Sequence, residues 1–481
     1  MNYLADIGLE VHAELQTRSK MFCGCAQVDT TTAKPNTAVC PVCLGLPGAL
    51  PVVNRSAVEY GMRVALALGC TVQPVSIFAR KNYFYPDLPK GYQISQYESP
   101  LAEHGQLSID TTKGEKTIRI QRVHLEEDTG KLTHVTKGKE SYSLVDLNRA
   151  GIPLLEIVSE PEMHSAEEAS AYGRELRAIV RALGVNSGDM EKGVMRFEAN
   201  ISVRPEGSQE LGTKVEIKNL NSFKAMEKAI DFEIKRQIAR LEGGELVLQE
   251  TVGWEDIAGV TFTQRSKEES HDYRYFPEPD LPPLSVEPEW VDRVKAGLPE
   301  LPRARALRFM EEYKLKKADA LMLAEDNEIA AYFEQTVCAM IEGEPRLAAN
   351  WITGELFGWM KQSGESITKL KVNPGNLAEL LDQLANGSVN VQSGKAVLVE
   401  MLLKGESASD LIHSRGLKQV SDTETIASLV QNTLQANPAE LQAYHAGKIT
   451  LENWFFGQVM KAAGGKANPQ VVQEELKKQL K

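Results

Sequence analysis

The sequence lacks long apolar runs and both of the glycine-rich motifs that usually hold nucleotide phosphates. No stretch approaches the roughly 18 apolar residues of a membrane span, so we expect no transmembrane helix. The motif G-x-x-x-x-G-K-[ST] is absent, and G-x-G-x-x-G is absent too because no two glycines stand two positions apart. Any nucleotide site must therefore be built from side chains and metal ions.

An excess of positive charge is also missing. The 481 residues carry a net charge of −12, which argues against a nonspecific nucleic-acid binder but not against a specific one with local basic patches. Two lysine- and arginine-rich stretches are candidates, although each is equally typical of a solvated helix face. The first patch contains Arg303, Arg305, Arg308, Lys314, Lys316 and Lys317, and the second contains Lys461, Lys466, Lys477, Lys478 and Lys481.

Cysteine is scarce, but four of the six cysteines are concentrated near the N-terminus. The pairs Cys23-Gly-Cys25 and Cys40-Pro-Val-Cys43 are spaced so that four thiolates can reach one tetrahedral ion, and Zn²⁺ is the usual occupant. Four thiolates leave no open position for water, so we predict a structural zinc. The alternatives are two disulfides or buried apolar cysteines.

Compartment and redox state follow from the remaining cysteines and the first residues. The polar segment 1–6 does not resemble a signal peptide, so we expect a cytoplasmic protein, in which clustered cysteines favour a metal over disulfides. Cys70 and Cys338 are isolated, and we expect both to be small core residues.

The pattern of residue types along the chain predicts an α+β multidomain protein. Residues 1–293 are rich in short alternating segments, which favours a mixed, largely antiparallel-sheet domain. The proline-rich segment 276–284 predicts an irregular but ordered connector. Helical patterns dominate afterwards, and we predict an all-helical domain over 294–405 and a small helical tail domain over 406–481.

Four strand-like segments place polar side chains on one face, because side chains alternate along a strand. An ordinary half-buried strand with solvated charges gives the same alternation, so no single segment is decisive. All four offer a carboxylate beside His, Asn or Lys, and strands of one sheet would bring these faces together. Carboxylates from several strands suit Mg²⁺, which prefers oxygen ligands. The segments are Ile7–His12, Arg122–Asp128, Arg196–Ser202 and Lys214–Asn219, and they carry Glu10, His12, His124, Glu126, Glu198, Asn200 and Glu216.

Phosphate chemistry is the natural partner of such a cluster, because Mg²⁺ bridges phosphate oxygens while cationic side chains neutralise the remaining charge. Candidate phosphate contacts are Lys90, Lys218, Asn219 and Arg274, although each lysine taken singly is typical of a surface charge.

Motifs spread over essentially the whole chain resemble one family, the B subunits of the bacterial and organellar glutamyl/aspartyl-tRNA amidotransferase. The resemblance includes the four-cysteine segment. It also rests on Ile7–His12, Lys81–Gln96, His124–Lys131, Asp146–Pro153, Arg196–Arg204, Lys218–Phe223, Arg274–Pro283, Phe456–Lys461 and the segment 465–469.

The resemblance implies a cradle-like catalytic domain, a helical domain and a small tail that contacts tRNA. It also implies a reaction in which ATP phosphorylates the side-chain carboxylate of glutamate on tRNA(Gln) or of aspartate on tRNA(Asn). Ammonia then displaces the phosphate. A separate amidase (A) subunit would make the ammonia from glutamine, and a small C subunit would complete the heterotrimer.

The resemblance also assigns roles to particular residues. Magnesium would bind Glu10, His12, Glu126 and Glu198, with Glu156 and Glu216 as weaker candidates. Because His12 is unusual for Mg²⁺, Mn²⁺ or a water-bridged role is an alternative. Lys90 and Lys218 would contact phosphate or carboxylate groups during catalysis, and Asn219 and Arg274 would help to bind ATP.

Two alternatives remain open at this point. One is a non-catalytic chain that docks tRNA and whose carboxylates are structural. The other is the related archaeal E subunit, which carries an extra domain between cradle and helices, but the connector at 276–284 leads so soon into helices that no such domain fits.

Overall fold

The structure, a computed structural model, describes residues 2–266, 273–417, 423–463 and 467–480. It divides into two compact units, residues 1–301 and 302–481, which are described separately. The first unit combines a large sheet with helices and the second is helical, so the predicted α+β class is confirmed. Lys466 and Lys481 of the second basic patch lie outside the described residues.

The first unit is organised around a nine-stranded sheet. The strands are β1 (Tyr3–Glu14), β2 (Thr71–Val72), β3 (Val75–Ser76), β4 (Ala79–Asn82), β5 (Tyr92–Ser95), β6 (Ala102–Thr111), β7 (Gly114–Glu127), β8 (Lys131–Lys137), β9 (Glu140–Asp146), β10 (Pro153–Ser159), β11 (Met195–Pro205), β12 (Val215–Leu220), β13 (Glu250–Glu255), β14 (Val260–Ser266), β15 (Phe276–Pro277) and β16 (Leu284–Ser285). In the large sheet the order is β14-β13-β12-β11-β1-β10-β7-β6-β2, and the neighbours run antiparallel except β12 and β13.

Helices cover one face of this sheet. The sequence places Ile7, Leu9 and Val11 on the covered face of β1, and all three are fully buried in the main hydrophobic cluster. Each such side chain contributes roughly 1.5–3 kcal/mol through burial. The opposite face of the same strand is left to polar residues. The helices of this unit are α1 (Arg55–Ala67), α2 (Ala166–Ala182), α3 (Phe223–Glu242) and α4 (Pro288–Ala296).

Local capping chemistry sets where the two long helices begin. The side chain of Ser165 accepts a hydrogen bond from Glu168 N, and Ser222 accepts one from Ala225 N, which satisfies otherwise unpaired amides. The connector at 276–284 is less irregular than predicted, since β15 pairs with β4 and β16 pairs with β3. Both strands are only two residues long. Proline has no backbone N–H to donate to a neighbouring strand, so a proline-containing segment pairs with a sheet only over a short stretch.

The second unit is helical. Two hydrophobic clusters form its interior, one within residues 306–412 and the other within 426–480. The boundaries of the predicted three domains stay a prediction. The helices are α5 (Pro302–Glu312), α6 (Lys317–Ala324), α7 (Asn327–Ala339), α8 (Pro345–Trp351), a π-helical turn (Ile352–Leu356), α9 (Phe357–Ser363), a 3-10 turn (Ile367–Lys369), α10 (Pro374–Ala385), α11 (Val391–Lys404), α12 (Ala408–Ser414), α13 (Thr423–Ala436), α14 (Pro438–His445), α15 (Leu451–Ala462) and α16 (Pro469–Gln479).

Among the described residues, no helix is both long and apolar enough to cross a membrane. Cys70 is buried as predicted, but Cys338 is exposed on α7, so the prediction that it is a core residue is wrong. The helical turn directs Thr336 inward instead. In the first basic patch, the guanidinium of Arg305 is buried and donates to Asn327 Oδ1 at 2.9 Å, which makes it a structural residue rather than a surface charge.

Candidate active site and metal clusters

Strand register places the acidic side chains of the sheet in rows. His124 of β7 lies opposite Glu156 of β10, and Glu156 lies opposite His12 of β1. On the other side of β1, Glu10 lies opposite Glu198 of β11. Because directly opposite residues point to the same face, these side chains project together from the polar face of the sheet.

The first carboxylate cluster consists of His12, Glu126 and Glu156, whose ligand atoms all lie within 4.8 Å of one another. His12 Nε2 lies 3.3 Å from Glu156 Oε2 and 3.7 Å from Glu126 Oε1. His124 Nε2 lies 3.3 Å from the same oxygen of Glu156. The Nδ1 atoms of His12 and His124 are buried without a hydrogen-bond partner among the described residues, which is the situation a bound ion or ligand relieves.

The second carboxylate cluster consists of Glu10, Glu198 and Glu216, again within 4.8 Å. Neighbouring strands hold each carboxylate in place. Asn200 Nδ2 donates to Glu10 at 2.8 Å, and Thr251 Oγ1 donates to Glu216 at 2.7 Å. The two weaker candidates, Glu156 and Glu216, therefore complete the two clusters around the four predicted ligands.

Electrostatics in the clusters follow from burial and close charges. Burial, followed by the charge of Glu156, raises the pKa of Glu10 above its usual value. Burial alone would lower the pKa of His12, but Glu156 and the other carboxylates raise it to about 9. Burial opposes ionisation of Glu198, yet Lys218 holds its pKa at about 2. The clusters therefore attract positive charge, whether a proton or a metal ion.

Lys218 is the cation closest to the second cluster. Its Nζ lies 2.8 Å from Glu198 and 3.4 Å from Glu216. A register shift between β11 and β12 falls opposite this point, and Asn219, next along β12, has a φ of 65°. Such a bulge redirects side chains, and here Asn219 is exposed while Lys218 faces the carboxylates.

Both carboxylate clusters line one polar cavity of about 510 Å³. The sequence interpretation did not name three residues that line it, namely Lys81, His124 and Asn200, as site residues. His124 and Asn200 have the same alternation as the predicted ligands, so the signal was present in the sequence. Lys81 lies on the four-residue β4, too short for alternation to identify it.

Lys81 and an aromatic wall form another side of the cavity. Burial would lower the pKa of Lys81, but Glu126, Tyr275 and other groups raise it well above its usual value. Tyr97 and Tyr275 stack with ring centroids 4.2 Å apart, and Lys81 Nζ lies 4.9 Å from the ring of Tyr273. The cavity therefore joins a buried ammonium to aromatic surface beside two acidic clusters.

Among the described residues, three of the four predicted phosphate contacts, namely Lys90, Asn219 and Arg274, do not line the cavity. Lys90 does not line the cavity and instead forms a buried ion pair with Glu127. Arg274 is exposed, has a φ of 43°, and stands between the cavity residues Tyr273 and Tyr275. The structure thus brings Lys218 to the carboxylates and does not bring Lys90.

The four cysteines converge as the sequence predicts. Their sulfur atoms lie within 4.8 Å of one another, and those of Cys40 and Cys43 are 3.9 Å apart. Tetrahedral Zn–S bonds of about 2.3 Å put the sulfurs about 3.8 Å apart, whereas a disulfide needs about 2.05 Å. Gly45 follows in the turn with a φ of 67°, which favours glycine. The donors therefore fit zinc.

Comparison with known proteins assigns the domains. The family model described as "GatB/GatE catalytic domain" matches residues 5–292, and the model described as "GatB domain" matches residues 331–480. The sheet, its carboxylate clusters and the cysteine cluster thus lie in a catalytic domain of the GatB/GatE class.

Full-length relatives share one description, that of the B subunit of an aspartyl/glutamyl-tRNA(Asn/Gln) amidotransferase. The protein of Thermodesulfovibrio yellowstonii is 49% identical over 100% of both chains, and that of Myxococcus xanthus is 50% identical over 98% of both. The protein of Roseiflexus sp. is 48% identical over 100% of this chain and 99% of the relative. The chain therefore belongs to the family of amidotransferase B subunits.

Proposed function

We propose that this chain is the ATP-using subunit of a tRNA-dependent amidotransferase. It phosphorylates the side-chain carboxylate of glutamate on tRNA(Gln), aspartate on tRNA(Asn), or both, and ammonia then displaces the phosphate to give the amide. The observation that carries this proposal is the single cavity lined by two carboxylate clusters and by the ammonium groups of Lys81 and Lys218.

The chemistry explains why such a cavity is needed. A carboxylate is a poor electrophile because its oxide is a bad leaving group, and phosphorylation converts that oxygen into one that ammonia can displace. Bound Mg²⁺ would neutralise charge on the phosphate oxygens and align them. A cavity of about 510 Å³ is within the range of small-molecule and cofactor sites.

The negatively charged side chains, together with His12, would bind metal ions. His12, Glu126 and Glu156 would hold one metal ion, and Glu10, Glu198 and Glu216 would hold a second. Water ligands would complete each shell, as magnesium usually requires. His12 is the less typical ligand, which leaves Mn²⁺ or a water-bridged contact as the alternative at the first cluster.

The ammonium groups would act on the transferred phosphate. Lys218 already pairs with Glu198 and Glu216, so it can turn from these carboxylates towards a phosphate oxygen. Lys81 also lines the cavity. Positive groups placed in advance around developing negative charge are the main source of catalysis in such transfers. Asn219 and Arg274, at exposed positions near the cavity, are proposed as outer contacts to ATP.

The remaining proposed parts come from the family. The cysteine cluster would hold a structural zinc, and the enzyme would be a cytoplasmic heterotrimer with an amidase (A) subunit and a small C subunit. The amidase would take ammonia from glutamine. Misacylated tRNA would enter with its acceptor end at the cavity, screened by Mg²⁺, while basic residues elsewhere would hold its backbone in a salt-dependent manner.

A second candidate function is the docking of tRNA without chemistry. The experiment that separates the two functions uses the assembled complex, misacylated tRNA and ATP labelled at the α-phosphate, with no ammonia donor. It compares the wild type with the double variant Glu10→Gln plus Glu126→Gln and measures tRNA-dependent release of ADP alongside tRNA binding.

The catalytic proposal expects the double variant to bind tRNA normally and to lose ADP formation. The docking function expects the reverse, with weakened tRNA binding and intact ADP formation. Retained ADP formation in the double variant would overturn the catalytic assignment of these carboxylates.

A further inference from the structure

A fully buried lysine lies beside the cysteine cluster. Lys20 has no solvent exposure, and its Nζ lies 3.7 Å from Cys43 Sγ and 3.2 Å from the carbonyl oxygen of Leu147. Cys43 is itself the buried member of the four cysteines. A charged ammonium in such a place needs a compensating negative charge, because removing an ion from water costs several kcal/mol.

No carboxylate provides that charge directly. In the part of the chain that the structure describes, Lys20 Nζ forms no ion pair within 4.0 Å, and its hydrogen bonds are those to Cys43 and Leu147. Glu127 is a neighbouring carboxylate, because one of its oxygens and Lys20 Cδ both lie beside Gly151. The ion pair of Glu127, however, is with Lys90.

The cysteine cluster has the opposite problem. Four thiolates around one divalent cation carry a net charge of −2, and this charge is partly buried at Cys43. Hydrogen-bond donors to the sulfurs are the usual remedy, and here Cys40 N donates to Cys43 Sγ at 3.1 Å. Backbone amides supply only partial charge, whereas Lys20 supplies a full one.

We propose that Lys20 is the outer partner of the zinc site, neutralising the thiolate of Cys43 and thereby setting how tightly the metal is held. The inference rests on the proposed zinc site. Lys20 also holds both cysteine pairs together, because its backbone N donates to Cys25 O at 2.9 Å while its side chain reaches Cys43. It is a positioning residue and takes no part in the phosphoryl transfer.

The test compares three variants in the assembled complex. Lys20→Met keeps an unbranched apolar chain of similar length and removes the charge, and Lys20→Arg restores the charge. Lys192→Met is the matched control, because Lys192 is exposed and pairs with Asp29 at 3.6 Å in the segment between the cysteine pairs. Zinc content, zinc affinity by chelator competition, and the absorption of the Co²⁺-substituted protein are measured.

Lys20→Met is expected to lower zinc affinity by roughly 10- to 100-fold, as for outer partners of other metal sites. Its thiolate-to-cobalt charge-transfer band is expected to move to lower energy, because an unneutralised thiolate gives up electrons more readily. Lys20→Arg is expected to recover most of the affinity, and Lys192→Met to match the wild type.

The outcomes separate this inference from the zinc proposal. A wild-type complex with one zinc per chain, together with an unchanged affinity and cobalt band in Lys20→Met, would overturn the role of Lys20 and leave the zinc site standing. A loss of affinity in Lys20→Met with an unchanged cobalt band would assign the residue to packing alone and would also overturn it. A wild-type complex without metal at the cysteines would overturn both.

Discussion

The cysteine cluster and the carboxylate clusters are two groups of candidate metal ligands in one domain, assembled in opposite ways. The cysteines come from a single segment, residues 23–43, whose turns bring the sulfurs within 4.8 Å. The carboxylates come from β1, β7, β10, β11 and β12, which span positions 10–216. One site therefore depends on a local loop, and the other depends on the register of a whole sheet.

The two modes of assembly suit different roles. Four thiolates surround their ion completely, which suits a site that holds a loop in shape. Each carboxylate cluster offers three ligands, which leaves coordination positions for water and phosphate. Both clusters line the same polar cavity.

The largest expected effect is the loss of the cysteine cluster through Cys40→Ser. Binding of structural zinc contributes about 10–16 kcal/mol in small zinc domains, so removal of one ligand should abolish stoichiometric zinc and loosen residues 23–43. Zinc content and limited proteolysis of the assembled complex measure this effect. Cys338→Ser is the matched control, because Cys338 is exposed on α7. Full zinc content and intact protease resistance in Cys40→Ser would refute a four-cysteine zinc site.

The second largest effect is expected for Glu156→Gln, which should lower the rate of catalysis without changing the zinc content. Glu156 lies 3.3 Å from both His12 and His124, so Glu156→Gln removes the charge at the centre of the first cluster. We expect a loss of tRNA-dependent ADP formation of roughly 10²- to 10³-fold, the size typical of lost electrostatic stabilisation. Glu140→Gln on β9 is the control, since Glu140 is exposed. Equal rates in both variants would contradict a catalytic role for the cluster.

Lys90 and Lys218 have the same predicted role in the sequence but different contacts in the structure, so their substitution should have different effects. Lys218→Met is expected to lower ADP formation about 10- to 100-fold, because one phosphate contact is lost. It should cost less stability than Lys90→Met, because the ion pairs of Lys218 are more exposed to water. Lys90→Met should instead destabilise the domain by about 3–5 kcal/mol, because Glu127 would be left buried without its cation. Initial rates and urea midpoints of the two variants test this. The reverse pattern would place Lys90 in the active site.

Much of the carboxylate site could be predicted from alternation. Alternation correctly grouped Glu10 with His12 and His124 with Glu126, because side-chain direction has a period of two. It could not show that Glu156 is central, since β10 (Pro153–Ser159) otherwise presents mainly apolar residues. That position follows from the pairing of β10 with both β1 and β7, and register between distant strands depends on tertiary packing.

The fold itself was predicted most accurately where local signals were strong. Apolar residues at helical spacing and a serine cap before the first turn mark both α2 and α3. The different surroundings of Lys90 and Lys218 were not predictable from the sequence, because they depend on contacts with residues distant in the chain. Only the bulge at β12 and the ion pair with Glu127 distinguish them.

The smallest expected effect concerns a carboxylate outside both clusters, Glu168 at the start of α2. It accepts hydrogen bonds from Lys116 Nζ and from His164 N, both at 2.7 Å. Burial opposes its ionisation, but Lys116 and the His164 amide lower its pKa below the usual value. The stabilisation is therefore present above about pH 4.3, where an unfolded glutamate ionises, and it is lost as the pH falls through the lower folded value.

Glu168→Gln should lower the stability of the first unit by about 1 kcal/mol at pH 7, and the difference should persist down to about pH 4.3 and shrink between there and about pH 3. Urea midpoints measured across this range test it, and ADP formation should match the wild type. Lys116→Met serves as the partner variant, and the double variant should lose no more than either single one. A deficit that stays constant with pH would mean that Glu168 acts through shape rather than charge. A loss of ADP formation would mean that Glu168 contributes to catalysis and is not only a structural carboxylate.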